Sequence, residues 1–351
     1  MTSQLSLAAA AVALTAVAVA AYLEATHARR RKLRYALQIR RLCASLPKVE
    51  LHAHLHGCAR LATIKELAPE GVDTSELKPS DERDGRSLDA CFAIFGAIHK
   101  TVTTLAAVRR ITREVLADFA ADGVKYLELR TTPRALSDAD VETYIRALLA
   151  ELAAFDERQR ADRVEWPLMV RLLLSVDRTG SAAQARQTVR LAAELRAELG
   201  YIVGVDFSGN PTRGAFADFG EAFEAARLDG LRVAVHVGEL NHPADTASVL
   251  DFGPERLGHA LVLSAADVSR LRAKPVPIEL CPTSNLKTLQ LLSLAGGRGE
   301  LRRHAPGSAP CACSRVLRAP ERRQRPLKSS LACPPLALTD HPAMAALFPS
   351  F

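Results

Sequence analysis

Two histidines stand one residue apart in the short apolar segment KVELHAHL, which covers residues 48–55. In a β-strand, residues i and i+2 point to the same face, so His52 and His54 can converge on one metal ion. Two imidazoles do not complete a metal site, which needs a third ligand and an acid or base group nearby. The segment therefore predicts one half of a metal centre built on a strand.

A second segment, HVGE, supplies a third imidazole and a carboxyl group. His236 lies near the end of an apolar run, and Glu239 follows three residues later, where it would share the same strand end without being a ligand. Zinc held by three imidazoles lowers the pKa of a bound water towards neutrality, and a nearby carboxyl group can move protons to a substrate. His259, which ends another apolar run, can hydrogen-bond that water. These residues indicate hydrolytic attack at an electrophilic carbon.

Seven short apolar segments alternate along the chain with longer segments of helical periodicity. The predicted strands are 48–55, 124–130, 169–176, 201–206, 231–237, 255–259 and 276–281, and the predicted helical segments include 86–120, 138–160, 181–198 and 212–229. This repetition favours a parallel TIM-type (β/α)8 barrel over an open doubly wound sheet, and no GxGxxG motif follows the first strand. Catalytic residues of such barrels lie at the carboxyl ends of the strands, where the histidines fall.

The eighth strand of this barrel is not evident in the sequence. A barrel that lacks one strand exposes two unpaired edges. The nearest candidate is PLALTD at residues 335–340, a short and mostly apolar stretch that ends in Asp340. The α/β barrel is therefore predicted to be incomplete, with strand eight missing or replaced.

Seven motifs occur in order over residues 46–288: LPKVELHAHLHG, GVKYLELRTTPR, SVDRTG, GVDFSGNP, HVGE, LGHA and ELCPTSN. Taken together, they resemble the adenosine deaminase family, and most of all its adenosine deaminase-like branch, which deaminates N6-methyl-AMP. The resemblance implies a (β/α)8 barrel that holds one zinc ion per chain through His52, His54, His236 and an aspartate at the end of strand eight.

The resemblance also implies roles for other side chains. Glu239 would protonate the purine ring nitrogen beside carbon 6, His259 would orient the attacking water, and the backbone of Gly209 would bind the purine edge. The remaining substrate contacts would involve His54, His56, His99, Thr131, Thr132, Pro133, Arg134 and Asp177. The expected reaction converts N6-methyl-AMP to IMP and methylamine, or adenosine to inosine.

Position 56 favours a nucleotide over a nucleoside. Nucleoside enzymes of this family typically have an aspartate where this chain has His56, and a carboxylate there would repel a phosphate. Three of the other predicted substrate contacts are also compatible with a purely structural role. His99 is also compatible with a helix surface, Arg134 with capping a loop, and Asp177 with capping the following helix.

One departure from the family pattern concerns catalysis. The family ends strand eight with consecutive aspartates, whereas no Asp-Asp pair follows Cys281 and Asp340 stands alone before His341. Three ligands would hold zinc more weakly, so low or absent turnover is expected. Two alternatives stay open: a non-catalytic, membrane-tethered purine-binding protein, and another amidohydrolase-type metal hydrolase. The latter would be favoured by a lysine on strand four, where Asp206 occurs.

The two ends of the chain differ from its middle. Residues 5–23 form an uncharged run long enough to span a membrane as a helix, followed by a basic flank, although a loosely held or mitochondrial-type leader is also compatible. The sequence thus predicts a leader at 1–45, a deaminase barrel at 46–295 and a disordered basic tail at 296–351. The net charge of +7 arises at both ends, so no nucleic-acid partner is expected. Seven scattered cysteines favour a reducing compartment, and a monomer with a cytosolic catalytic domain is expected.

Overall fold

The computed structural model of the chain describes residues 2–75, 77, 88–281 and 284, with the backbone alone described at 2–21, 23 and 40. The helices are α1 (Thr2–Ser45), α2 (Leu55–Cys58), α3 (Leu61–Leu67), α4 (Leu88–Thr101), α5 (Leu105–Ala121), α6 (Val141–Ala161), α7 (Ala182–Leu199), α8 (Gly220–Leu228), α9 (Pro243–Phe252) and α10 (Ala265–Ala273). The strands are β1 (Lys48–His54), β2 (Val124–Thr131), β3 (Met169–Asp177), β4 (Ile202–Ser208), β5 (Arg232–Val237), β6 (Arg256–His259) and β7 (Ile278–Glu279).

The strands form one sheet in which each strand pairs in parallel with the next along the chain, from β1 to β7. Helices connect the successive strands, as parallel pairing requires. Most residues of the strands are buried, because helices cover one face of the sheet and side chains of the other strands fill the other. The predicted alternation of strands and helices is confirmed.

Polar side chains inside the sheet show that it curls into a barrel. Arg130 of β2 donates to Asp206 of β4 and to Glu279 of β7. Glu279 also lies 2.6 Å from Nδ1 of His52, which belongs to β1. Since β1 and β7 are the two ends of the strand order, contact between their side chains requires a nearly closed sheet. The fold is thus the predicted TIM-type α/β barrel, described here over seven strands.

Two predicted helical segments are shorter in the structure than the sequence suggests. The segment 86–120 contains two helices, α4 and α5, which are separated at residues 102–104 because Thr104 is extended and caps α5 by accepting from the Ala107 amide. The segment 212–229 becomes helical only at a 3-10 turn, Phe216–Phe219, which leads into α8. The predicted strand at 276–281 is two residues long.

The ends of the chain bear on three further predictions. Residues 5–23 lie within α1. Within the part of the chain that the structure describes, no helix is both long and apolar enough to cross a bilayer, so the predicted membrane span is not supported. The strand candidate at 335–340, with Asp340, and the tail at 296–351 lie outside the described residues.

Candidate active site

The imidazoles of β1, β5 and β6 meet inside the barrel mouth. The ring centroids of His52 and His54 are 5.3 Å apart, and that of His236 lies 4.5 Å from the first and 5.1 Å from the second. Nε2 of His54 faces Nε2 of His236 at 3.1 Å. Two nitrogens that share one tetrahedral metal ion lie about 3.3 Å apart, given metal–nitrogen bonds of about 2 Å. The separation of the His54 and His236 nitrogens therefore suits one shared ion, and the ring of His52 lies beside them.

Two overlapping groups of side chains in this cluster could hold a metal ion. One contains His52, His236 and His259, and the other contains His54, Asp206 and His236, with the ligand atoms of each group within 4.8 Å of one another. The groups share His236, which places this residue at the centre of the cluster. The donor set is mainly imidazole nitrogen, which suits zinc and other late transition metals better than calcium or magnesium.

Buried carboxylates fix the orientation of two imidazoles. Glu279 lies 2.6 Å from Nδ1 of His52, and Asp206 lies 3.1 Å from Nδ1 of His236. A hydrogen bond at Nδ1 leaves Nε2 free to bind a metal and sets the orientation of the ring. Both carboxylates are almost completely buried. Neither was predicted as a site residue, although an acid inside a short apolar strand, as in GVDFS and IELC, is a signal that could have found them.

The protonation of the cluster follows from burial and from these charges. Burial lowers the pKa of His52 and of His54 well below the usual value, so both rings are neutral near pH 7, the form that binds metals. Burial also lowers the pKa of His236, but the Asp206 carboxylate outweighs this effect and leaves the pKa above its usual value.

The absence of a side chain at Gly258 leaves room for the imidazole of His52. A Cβ atom at this position in β6 would lie 3.0 Å from Cε1 of His52, which is tighter than normal packing allows. Glycine is unfavourable in a strand unless a neighbour approaches closely, and here the neighbour is a candidate ligand. Gly258 is thus a third residue at the site, after Glu279 and Asp206, that was not predicted from the sequence.

The two predicted catalytic side chains lie beside the cluster. Nε2 of His259 is 3.6 Å from a carboxylate oxygen of Glu239, and its ring lies 4.8 Å from that of His52. His259 has a φ of +62°, a left-handed conformation that is rare for a residue with a side chain. Such strain is typical of functional sites, and here it accompanies the position of the ring beside the metal-binding candidates.

Arg134 and two imidazoles form a second group, where the resemblance predicts phosphate contacts. Nη2 of Arg134 is 3.2 Å from Nε2 of His56, and the rings of His56 and His99 are 4.8 Å apart. Among the residues that the structure describes, Nη1 of Arg134 is buried and has no hydrogen-bond partner. A buried donor without a partner is costly, and an anionic ligand would supply the missing acceptor. The structure brings together three of the residues predicted to bind substrate.

Three other residues predicted to contact the substrate, Gly209, Asp177 and Thr131, make contacts within the protein. Gly209 has a φ of +104° and packs so tightly that a Cβ atom there would lie 2.4 Å from Oδ1 of Asp177. Asp177 itself accepts hydrogen bonds from the backbone and hydroxyl of Thr179, so part of its role is to shape the turn after β3. The hydroxyl of Thr131 pairs with that of Tyr144 on α6. The roles predicted for Thr132 and Pro133 stay predictions.

The barrel and its histidine cluster define a class: an α/β-barrel protein with a group of side chains in its mouth that could hold a metal ion. Comparison with known proteins narrows this class. A family model described as adenosine deaminase matches residues 47–295. The chain is 37% identical over 272 residues to the N6-mAMP deaminase of Arabidopsis thaliana, covering 71% of this chain and 76% of that protein. The chain belongs to the adenosine deaminase family, which confirms the predicted resemblance.

Two further comparisons agree with this assignment. The N6-methyl-AMP deaminase of Homo sapiens is 36% identical over 259 residues, covering 70% of this chain and 71% of that protein. The crystal structure of Arabidopsis ADAL complexed with IMP superposes with a TM-score of 0.63 at 36% identity, covering 72% of this chain and 76% of that one. The predicted enzyme class, a hydrolase of the deaminase type, is confirmed by family membership.

Proposed function

We propose that the chain is a zinc-dependent deaminase of a 6-aminopurine nucleoside monophosphate, with N6-methyl-AMP as its substrate and IMP and methylamine as its products. The observation that carries this proposal is the convergence of His52, His54 and His236 beside the carboxylate of Glu239. The names of the similar plant and human proteins support the substrate, as does the IMP bound in the solved relative.

The proposed zinc would be held by His52, His54 and His236 and would supply an activated water at neutral pH. Glu239 would hold a proton and deliver it to the purine ring nitrogen beside carbon 6, which makes that carbon more electrophilic. His259 would orient the attacking water through Nε2. The backbone of Gly209 would bind the purine edge and so fix the position of carbon 6.

The monophosphate is supported by the group formed by His56, His99 and Arg134. Nη1 of Arg134, which is buried and has no partner within the described part of the chain, suits a phosphate oxygen, because a charge-assisted hydrogen bond is stronger than one between neutral groups. Two histidines beside it add donors without adding a repulsive carboxylate. A nucleoside would leave this group without its anionic partner, which favours the nucleotide as the substrate.

A second candidate function is purine-nucleotide binding with little or no turnover. The observation that favours it is the sequence after Cys281, where Asp340 is the sole aspartate and no Asp-Asp pair occurs. Without the second aspartate of that pair, the attacking water would lack the orienting carboxylate that the family pattern provides, and His259 would orient the water. We therefore expect turnover to be slow, with binding of the nucleotide retained.

The experiment is to load the purified chain with zinc and follow the ultraviolet spectrum of N6-methyl-AMP over time. We expect slow conversion that is lost in Glu239→Gln while its zinc content is unchanged. The matched control is Glu221→Gln, the same change at an exposed position on α8, which should not alter turnover. Nucleotide binding without any conversion would favour the second candidate, and no binding of either zinc or nucleotide would refute both.

A further inference from the structure

Arg130 is the largest fully buried side chain of the described residues, and it has no role in the reaction proposed above. Its guanidinium lies inside the barrel and is held by groups from three strands. Nη1 donates to Asp206 at 2.9 Å, and Nη2 donates to both oxygens of Glu279 at 2.8 Å. Nη2 also donates to the carbonyl of Leu51 at 2.6 Å, the residue before His52.

Each of the two carboxylates that Arg130 binds contacts a different imidazole. Asp206 contacts Nδ1 of His236, and Glu279 contacts Nδ1 of His52. One guanidinium therefore joins the carboxylate–histidine pairs of β5 and β1, which lie on different sides of the barrel. Its planar fork has donors that point in fixed directions, so it sets the separation of the two carboxylates.

We propose that Arg130 is a positioning residue for the metal centre: it holds Asp206 and Glu279 so that His236 and His52 aim at one ion. This inference rests on the proposed zinc site and goes beyond it, because Arg130 would contact neither metal nor substrate. Groups that orient metal ligands change metal affinity by about 10- to 100-fold when they are removed. The loss of Arg130 would disturb two ligands at once.

The two pairs depend on Arg130 to different degrees. Glu279 also contacts Nε of Arg256 at 2.8 Å, so a second cation holds it in place. Asp206 is contacted by Arg130, by Ser175 and by His236. Without Arg130, Asp206 keeps no arginine partner among those described contacts. The orientation of His236 is therefore expected to suffer more than that of His52.

The test measures zinc affinity rather than activity. The full chain is stripped of metal and titrated with zinc in competition with a chromophoric chelator. We expect Arg130→Met to bind zinc about 10- to 100-fold more weakly than the unchanged chain. Arg130→Lys should also bind more weakly, because a single ammonium cannot span both carboxylates. Wild-type affinity in either variant would overturn the inference.

The control separates positioning from the general cost of losing a buried arginine. Arg178 forms a buried ion pair with Asp245, and neither contacts a candidate metal ligand through that pair. Arg178→Met should lower stability but leave zinc affinity within about threefold, whereas an equal loss in both variants would overturn the inference. If Arg130→Met does not fold, as judged by circular dichroism, Arg130→Lys decides. If the unchanged chain binds no zinc, the proposed function fails instead.

Discussion

Position 56 offers the sharpest test of substrate choice. Nε2 of His56 lies 3.2 Å from Nη2 of Arg134, and His56 is only 5% exposed. In His56→Asp, the new carboxylate would occupy the place where a phosphate is expected. It would pair with Arg134 and withdraw that cation from the ligand. The substitution therefore both neutralises Arg134 and adds a carboxylate that repels the phosphate.

The size of this effect follows from the distances. Two unit charges about 4 Å apart interact by about 4 kcal/mol at the effective dielectric constant of partly buried sites. Movement of the phosphate and screening by salt reduce this value, so we expect a loss of about 2 to 3 kcal/mol, or roughly 100-fold in the dissociation constant. His56→Asn removes a donor without adding a charge, so its loss is expected to be about 1 kcal/mol.

The assay is isothermal titration calorimetry with IMP and inosine, which differ by the phosphate alone. His56→Asp should weaken binding of IMP roughly 100-fold and leave binding of inosine nearly unchanged. His56→Asn should fall between the unchanged chain and His56→Asp for IMP. Equal losses for IMP and inosine in His56→Asp would refute the placement of the phosphate beside residue 56.

Three further outcomes are expected. Burial lowers the pKa of His99 to about 4, and burial together with Arg134 lowers the pKa of His56, so the unfolded chain binds protons at a higher pH than the folded chain does. The free energy of unfolding of the metal-free protein should therefore fall as the pH drops from about 6.5 towards 4. Denaturant titrations that show no such fall would contradict the burial argument. Gly258→Ala places a methyl group against His52 and should lower zinc affinity in chelator competition, while Gly220→Ala, at a position with open space, should not. Gly209→Ala imposes a strained φ and a clash with Asp177, and should lower stability by about 1 to 3 kcal/mol and weaken IMP binding; unchanged calorimetric binding would separate Gly209 from the purine site.

The sequence predicted those parts of the fold that depend on local patterning. Short apolar runs in alternation with helical periodicity predicted all seven described strands to within a few residues, because strands covered on both faces consist mainly of apolar residues. The break between α4 and α5 was not predicted, since it depends on a cap at Thr104 within a run that otherwise has helical spacing. Strand lengths were likewise uncertain, and β7 proved shorter than expected.

For the site, the sequence offered candidate catalytic and metal-binding residues but not the residues that contact and orient them. His52, His54 and His236 were found from spacing on strands, and the structure brings them together. The network of Arg130, Asp206 and Glu279 joins β2, β4 and β7 across the barrel. No pattern within one strand specifies such pairings, because they depend on the closure of the sheet. The sequence shows only that each of these three strands contains a charged residue within an apolar run, and it does not show which charged residues pair.

The proposed function requires that three imidazoles bind one metal ion in the barrel mouth. Metal analysis by mass spectrometry of the purified full chain, after exposure to zinc and removal of unbound metal, tests it most directly. We predict one zinc ion per chain, with the zinc lost in His52→Ala, His54→Ala and His236→Ala but retained in His27→Ala on the exposed part of α1. A chain that retains no zinc, or that retains it equally well after all three substitutions, would contradict the claim.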